Sequence, residues 1–124
     1  MATTTEEGII KLDTIYQGST FYGTECDFVE VLDDGSEVPV DLTGANIKID
    51  MIKSSQVYDT YSSEFEDNSL KKLTITNNKF TFAEHIPTLP SGIYTFDIKV
   101  IFANEIVETG IGRGQWTILN PSTK

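Results

Sequence analysis

The sequence predicts an all-β domain, an antiparallel sandwich of about seven to nine short strands. Three observations lead there. Apolar side chains recur at every second position in one run after another. Turn-forming residues separate the runs. No window carries a convincing helical 3.6-residue period. The chain has 124 residues, the length of one domain, and a domain of that size can fold without metal or disulfide staples.

The elements follow in order. Met1 to Gly8 is polar and reads as an arm that orders only against a partner. Phe28 to Leu32 and Val38 to Val40 are strands, reversed by the turn Asp33-Asp34-Gly35-Ser36. Asp41-Leu42-Thr43-Gly44 is a loop. It feeds Ala45 to Met51, where Ala45, Ile47, Ile49 and Met51 share one face and Asn46, Lys48 and Asp50 the other. Ser54 to Asn68 is non-periodic and carries Tyr58, Tyr61 and Phe65; it reads equally as a functional loop or as a poorly patterned edge strand. Asn77-Asn78 tolerates positive φ and joins Leu70 to Thr76 with Lys79 to Phe82 in a tight hairpin.

Ala83 to Leu89 is the best place for a short helix or turn, with Pro87 limiting its length. In Ile93 to Phe102, Tyr94, Phe96, Ile98, Val100 and Phe102 face one way. Ile93, Thr95, Asp97, Lys99 and Ile101 face the other. Ala103-Asn104 turns the chain into Glu105 to Thr109, and Trp116 and Ile118 alternate in the last strand. Residues 9–121 form the sandwich, of Ig-like type, between the arm (1–8) and a short tail (122–124).

Composition narrows the function. Acids outnumber bases 19 to 9, for a net charge of −10. A grip on nucleic acid needs cations to neutralise phosphate, and anionic lipid needs a basic face, so neither is an expected partner. No apolar run approaches the ~20 residues of a membrane-spanning helix. The N-terminus lacks a basic start and an apolar stretch, so no export signal is read. One cysteine (Cys26) and one histidine (His85) cannot complete a four-ligand zinc site.

Eight acids fall between Leu12 and Ile47 with no Lys or Arg among them. Asp27, Asp33, Asp34 and Glu37 could offer calcium its hard oxygens, but the D-x-[DN]-x-[DN]-G loop is absent. A solvated acidic face is the plainer reading, and such a face can also meet a basic partner surface and steer assembly. No carboxylate pair shows the contrast of environments that glycoside hydrolysis needs. His85 has no nucleophile and orienting group patterned near it and reads as a surface or loop-packing residue. Cys26 beside Asp27 reads as a buried, unreactive thiol. Tyr58 and Tyr61 could form an exposed platform for sugar rings, while Tyr94 and Trp116 read as core. Gly110 to Gly114 reads as a bulge or strand bend, and Arg113 is a candidate bridge to a carboxylate within or between subunits.

One arrangement is more specific than any of these. Ile15-Tyr16-Gln17-Gly18-Ser19-Thr20-Phe21 opens it, and Val40-Asp41-Leu42-Thr43-Gly44-Ala45 leads into Ile47-Lys48-Ile49. Leu89-Pro90-Ser91-Gly92-Ile93-Tyr94-Thr95-Phe96-Asp97 follows, and Gly114-Gln115-Trp116-Thr117-Ile118-Leu119 closes the pattern. It resembles a small β-sandwich module of tailed-bacteriophage virion proteins. The resemblance implies a non-enzymatic virion protein, made in the host cytoplasm, of a tail, baseplate, fibre attachment, neck or capsid decoration. Its implied partners are other virion proteins and copies of itself, and it implies no cofactor and no catalytic residue. Tyr94 is expected to bury its ring and satisfy its hydroxyl on nearby backbone, as in a tyrosine corner. The residues expected to meet partners are Tyr58, Tyr61, Phe65, Asp33, Asp34 and Glu37. The alternatives are a carbohydrate-binding β-sandwich module and a hydrolase fragment working through His85.

Overall fold

The structure, a computed structural model, describes residues 3–4, 9–108 and 113–120. It is a β-sandwich without helix among the described residues. The chain runs through β1 (Thr3–Thr4), β2 (Ile9–Lys11), β3 (Ile15–Tyr16), β4 (Thr24–Asp27), β5 (Val29–Val31), β6 (Glu37–Pro39) and β7 (Asn46–Lys53). It continues through β8 (Gln56–Ser62), β9 (Thr74–Thr76), β10 (Lys79–Phe82), β11 (Gly92–Ile101), β12 (Val107–Glu108) and β13 (Arg113–Leu119). The main sheet has the order β1-β2-β13-β11-β7-β8, with β12 on β11 and β3 on β13. A second sheet has the order β4-β10-β9, and β5-β6 stands as a separate hairpin. The predicted strand count is exceeded because several elements are only two or three residues long. The ladders between strands are antiparallel except where β2 and β3 run parallel to β13.

Alternation explains the layering. Ile47, Ile49 and Met51 on β7, Tyr94, Phe96, Ile98 and Val100 on β11, and Trp116 and Ile118 on β13 are all buried. They face Cys26 on β4 and Phe80 and Phe82 on β10 within one core. The two layers touch through aromatic rings. Tyr61 meets Phe82 at 5.4 Å between centroids, and Phe21 meets Trp116 at 4.9 Å. Each fully buried large side chain contributes roughly 1.5–3 kcal/mol of transfer free energy.

The turns form for local reasons. Asp34 Oδ1 accepts from the Ser36 N–H and hydroxyl, and Asp41 Oδ1 accepts likewise from Thr43. Both are side-chain-capped turns of the kind short acids favour. Gly44 follows at φ 79° and lets the chain enter β7. Asn77 sits at φ 56° between β9 and β10, as its residue type predicts.

Four expectations need correction or narrowing. Ser54 to Asn68 is an edge strand followed by a loop. Lys53 pairs with Gln56 around a two-residue turn, and β8 closes the main sheet. Ala83 to Leu89 forms no helix. His85 instead makes an antiparallel bridge to Phe21, and the backbone groups that a helix would use internally are spent across the gap. Of the arm, Thr3 and Thr4 pair with Lys11 and Ile10 of the same chain, so that part is ordered by its own sheet. In the turn after β11 the positive φ belongs to Glu105, while Asn104 Oδ1 accepts from the Ile106 N–H. Thr109 to Gly112 and residues 121–124 lie outside the described residues.

Candidate functional site

The six residues expected to meet partners fall into two groups. Asp33, Asp34 and Glu37 are exposed at the β5–β6 hairpin. The base of that hairpin is tied to the β9–β10 turn by the Phe28 N–H donating to the Asn78 carbonyl, and β4 leads into it. On β4, Thr24 and Cys26 point inward and are buried, while Glu25 and Asp27 point outward and are exposed. Lys79 arrives from β10 to pair with Asp27 at 2.8 Å and Glu25 at 3.5 Å. Its bond to Asp27, and the charges of Asp27 and Glu25, raise the Lys79 pKa. That cation was invisible in a linear reading because it is brought in by strand pairing. Among the described residues, no group of three or more His, Cys, Asp or Glu side chains is arranged to hold a metal ion.

The aromatic group lies elsewhere, on β8 and the loop after it. Tyr58 is 40% exposed, with its ring 5.7 Å from that of Tyr94. It occupies the bulge between the pairs Met51↔Asp59 and Ile52↔Val57. The Lys53 ammonium lies 4.9 Å from the Tyr58 ring centroid and donates to the Ser91 carbonyl. Phe65 is half-buried. Its carbonyl, and that of Ser63, accept from Lys72 Nζ, and Lys71 ties the same loop to Asp59 at 2.7 Å.

Tyr61 is not a surface residue. It is 1% exposed, because its position on β8 pairs with inward-facing Ile49. A sugar platform built from Tyr58 and Tyr61 therefore lacks its second ring.

The Tyr61 hydroxyl lies 2.6 Å from His85 Nε2, and His85 Nδ1 lies 2.9 Å from the Ala83 carbonyl. A carbonyl only accepts, so Nδ1 carries a hydrogen and Nε2 is left to accept from Tyr61. His85 is a buried packing residue at 6% exposure, with both ring nitrogens engaged inside the core. Burial and the nearby Asp59 charge push the Tyr61 hydroxyl pKa well above its ordinary range. The Cys26 thiol is pushed up to about 12, chiefly by burial and then by Asp27. A thiol in that state is not a nucleophile near neutral pH. Tyr94 donates its hydroxyl to the Pro90 carbonyl at 2.6 Å, the expected corner. Trp116 Nε1 donates to the Asp13 carbonyl at 2.9 Å.

The outer face of the main sheet carries a different set of side chains. Strand parity sends Lys48, Asp50 and Ile52 outward from β7, and Ile93, Thr95, Asp97 and Lys99 outward from β11. Arg113 and Gln115 point outward from β13, and Lys11 from β2. A shallow groove of about 510 Å³ runs over Ile52, Thr95, Asp97, Arg113 and Gln115. Lys48 and Lys99 are cross-strand partners. Among the described residues, Lys11, Lys48, Lys99 and Arg113 make no ion pair or side-chain hydrogen bond. Lys53, Lys71, Lys72 and Lys79 each bind an acceptor of the same chain. Sequence alternation had placed Lys48 and Lys99 on the outward parity, but not beside each other.

No family model matches the chain, and no curated protein matches it. Among solved structures it is similar to CopC from Methylosinus trichosporium OB3b, at 11% identity and a TM-score of 0.45. The likeness covers 90% of this chain and 87% of that one. Likeness of that degree carries no argument about function.

Proposed function

We propose that the chain is a non-enzymatic structural protein of a tailed-bacteriophage particle, made in the host cytoplasm, that works by contact with other virion proteins and with copies of itself. One observation carries the reading. Among the described residues, the lone histidine and the lone cysteine are enclosed, and charged sheet faces and turns look outward. His85 and Tyr61 satisfy each other inside the core, and Cys26 is buried. Outside lie a charged sheet face and an edge strand, β8, which terminates the main sheet. Strand edges and sheet faces are the surfaces through which small β-sandwiches associate.

The virion assignment rests on the resemblance in sequence. Its quoted residues stand at joints of the sandwich. Asp41 and Thr43 cap the turn into β7, and Pro90 and Tyr94 make the corner into β11. The test is quantitative mass spectrometry of purified particles from a culture producing the phage that encodes the chain. Recovery in fixed ratio to the major tail or capsid protein supports the proposal. Absence from particles, with the protein left free in the lysate, overturns it.

A further inference from the structure

We propose that the outer face of the main sheet binds a second copy of the chain, which presents its acidic β5–β6 hairpin. The inference rests on the structural-protein reading and names the surface and partner it requires.

The sandwich is electrically two-sided. Its inner faces meet in one core, so its two outer faces look in opposite directions. The outer face of the main sheet carries Lys11, Lys48, Lys99 and Arg113 on four adjacent strands, against Asp50 and Asp97. The outer face of the second sheet carries Glu25 and Asp27 against Lys79, and the β5–β6 hairpin with the turn after it carries Glu30, Asp33, Asp34, Glu37 and Asp41, all exposed and with no Lys or Arg among them. Among the described residues, a chain of net charge −10 thus keeps one sheet face with an excess of cations.

Those cations are also the unengaged ones. The other four described lysines reach an acceptor in their own chain, whereas Lys11, Lys48, Lys99 and Arg113 reach none among the described residues. Placing Lys48 opposite Lys99 is unfavourable within an isolated sheet, and an acidic surface laid over the pair relieves the repulsion. Apolar contact is available on both sides. Ile93 and Val57 are 56% and 57% exposed on the main-sheet face, and Val29, Leu32 and Val38 are 37–42% exposed at the hairpin.

The two surfaces differ, so the contact is heterologous. Repeated, it generates a ring or a stack and does not stop at a closed dimer. Its strength falls with salt, because exposed charges are screened over about 10 Å at 0.1 M.

Two reversed variants test the pairing. Lys48→Glu with Lys99→Glu reverses the cationic face. Glu30→Lys, Asp33→Lys and Glu37→Lys reverse the acidic one while leaving the Asp34 turn intact. Circular dichroism melts establish that each folds, and Lys48→Gln with Lys99→Gln serves as a milder form. Sedimentation velocity is then run at about 0.02 M and about 0.5 M salt. The wild type should associate beyond dimers at low salt and dissociate at high salt. Each reversed variant alone should associate at least roughly tenfold more weakly, the Gln form should fall between, and an equimolar mixture of the two reversed variants should associate again.

A wild type that stays monomeric at low salt, variants that associate like the wild type, or a mixture that stays dispersed would each overturn the proposal. Association of a chain never found in particles would remove the virion reading and leave this one. A particle component that never self-associates would do the reverse.

Discussion

At the residue scale, the pair of Tyr61 and His85 shows how a lone histidine loses its chemistry. The imidazole is held by a carbonyl at one nitrogen and a hydroxyl at the other, inside the core. Tyr61→Phe keeps the ring and deletes the donor, leaving Nε2 buried and unpaired. It should lower unfolding free energy by about 1–3 kcal/mol in urea titrations. Cys26 offers a second check. With its pKa near 12 and its side chain buried, it should resist alkylation at pH 8 in native protein and react within minutes in denaturant, read by mass spectrometry.

Asp41 is held below its ordinary 3.8 first by the Thr43 hydroxyl and then by the Thr43 N–H. A carboxylate with a lowered folded pKa stabilises above 3.8, and the contribution is lost as pH falls through the folded value. Asp41→Ala should therefore melt below wild type near neutral pH, and the gap should narrow as pH falls below 3.8.

At the element scale, the hairpin of β7 and β8 explains the largest gap in the sequence reading. Its turn residues, Ser54 and Ser55, both adopt positive φ, at 54° and 64°. That is the geometry for which Asn-Gly is the usual signal, and two serines give no such signal. Two β-signs were lost together, because the bulge at Met51 and Ile52 also breaks the alternation of β8. Neither Tyr58 nor Tyr61 could be placed without the register, so the core residue Tyr61 was grouped with surface residues. Where turn chemistry was explicit, as at Asp34-Gly35 and Asn77-Asn78, the hairpins were legible. The parity of Lys48, Asp97 and Lys99 was legible for the same reason, whereas their neighbours across strands were not.

Replacing Ser54-Ser55 by Asn-Gly should stabilise the domain by about 1 kcal/mol, since a non-glycine residue in the left-handed region costs about that much. Gly114 makes the opposite case. It pairs with Phe96 on β11, whose ring covers the space where a side chain would stand. Gly114→Ala should destabilise by about 1–3 kcal/mol through overpacking, with partial recovery in Gly114→Ala/Phe96→Leu.

At the scale of the whole molecule, the core and the exterior divide the labour. Period-2 alternation sends the greasy parity of β7, β10, β11 and β13 into one core and sends charge outward on two opposite sides. The fold class follows from that alternation alone. The polarity between the two sides does not, because it depends on which strands become neighbours and on Lys79 crossing to Glu25 and Asp27. The most direct measurement is a reconstruction of the assembled phage particle by electron microscopy, at a resolution that traces strands. The sandwich is expected in fixed copy number, with Lys48, Lys99 and Arg113 covered by the acidic hairpin of a neighbouring copy. A particle without the sandwich, or one in which that sheet face stands bare to solvent, would contradict it.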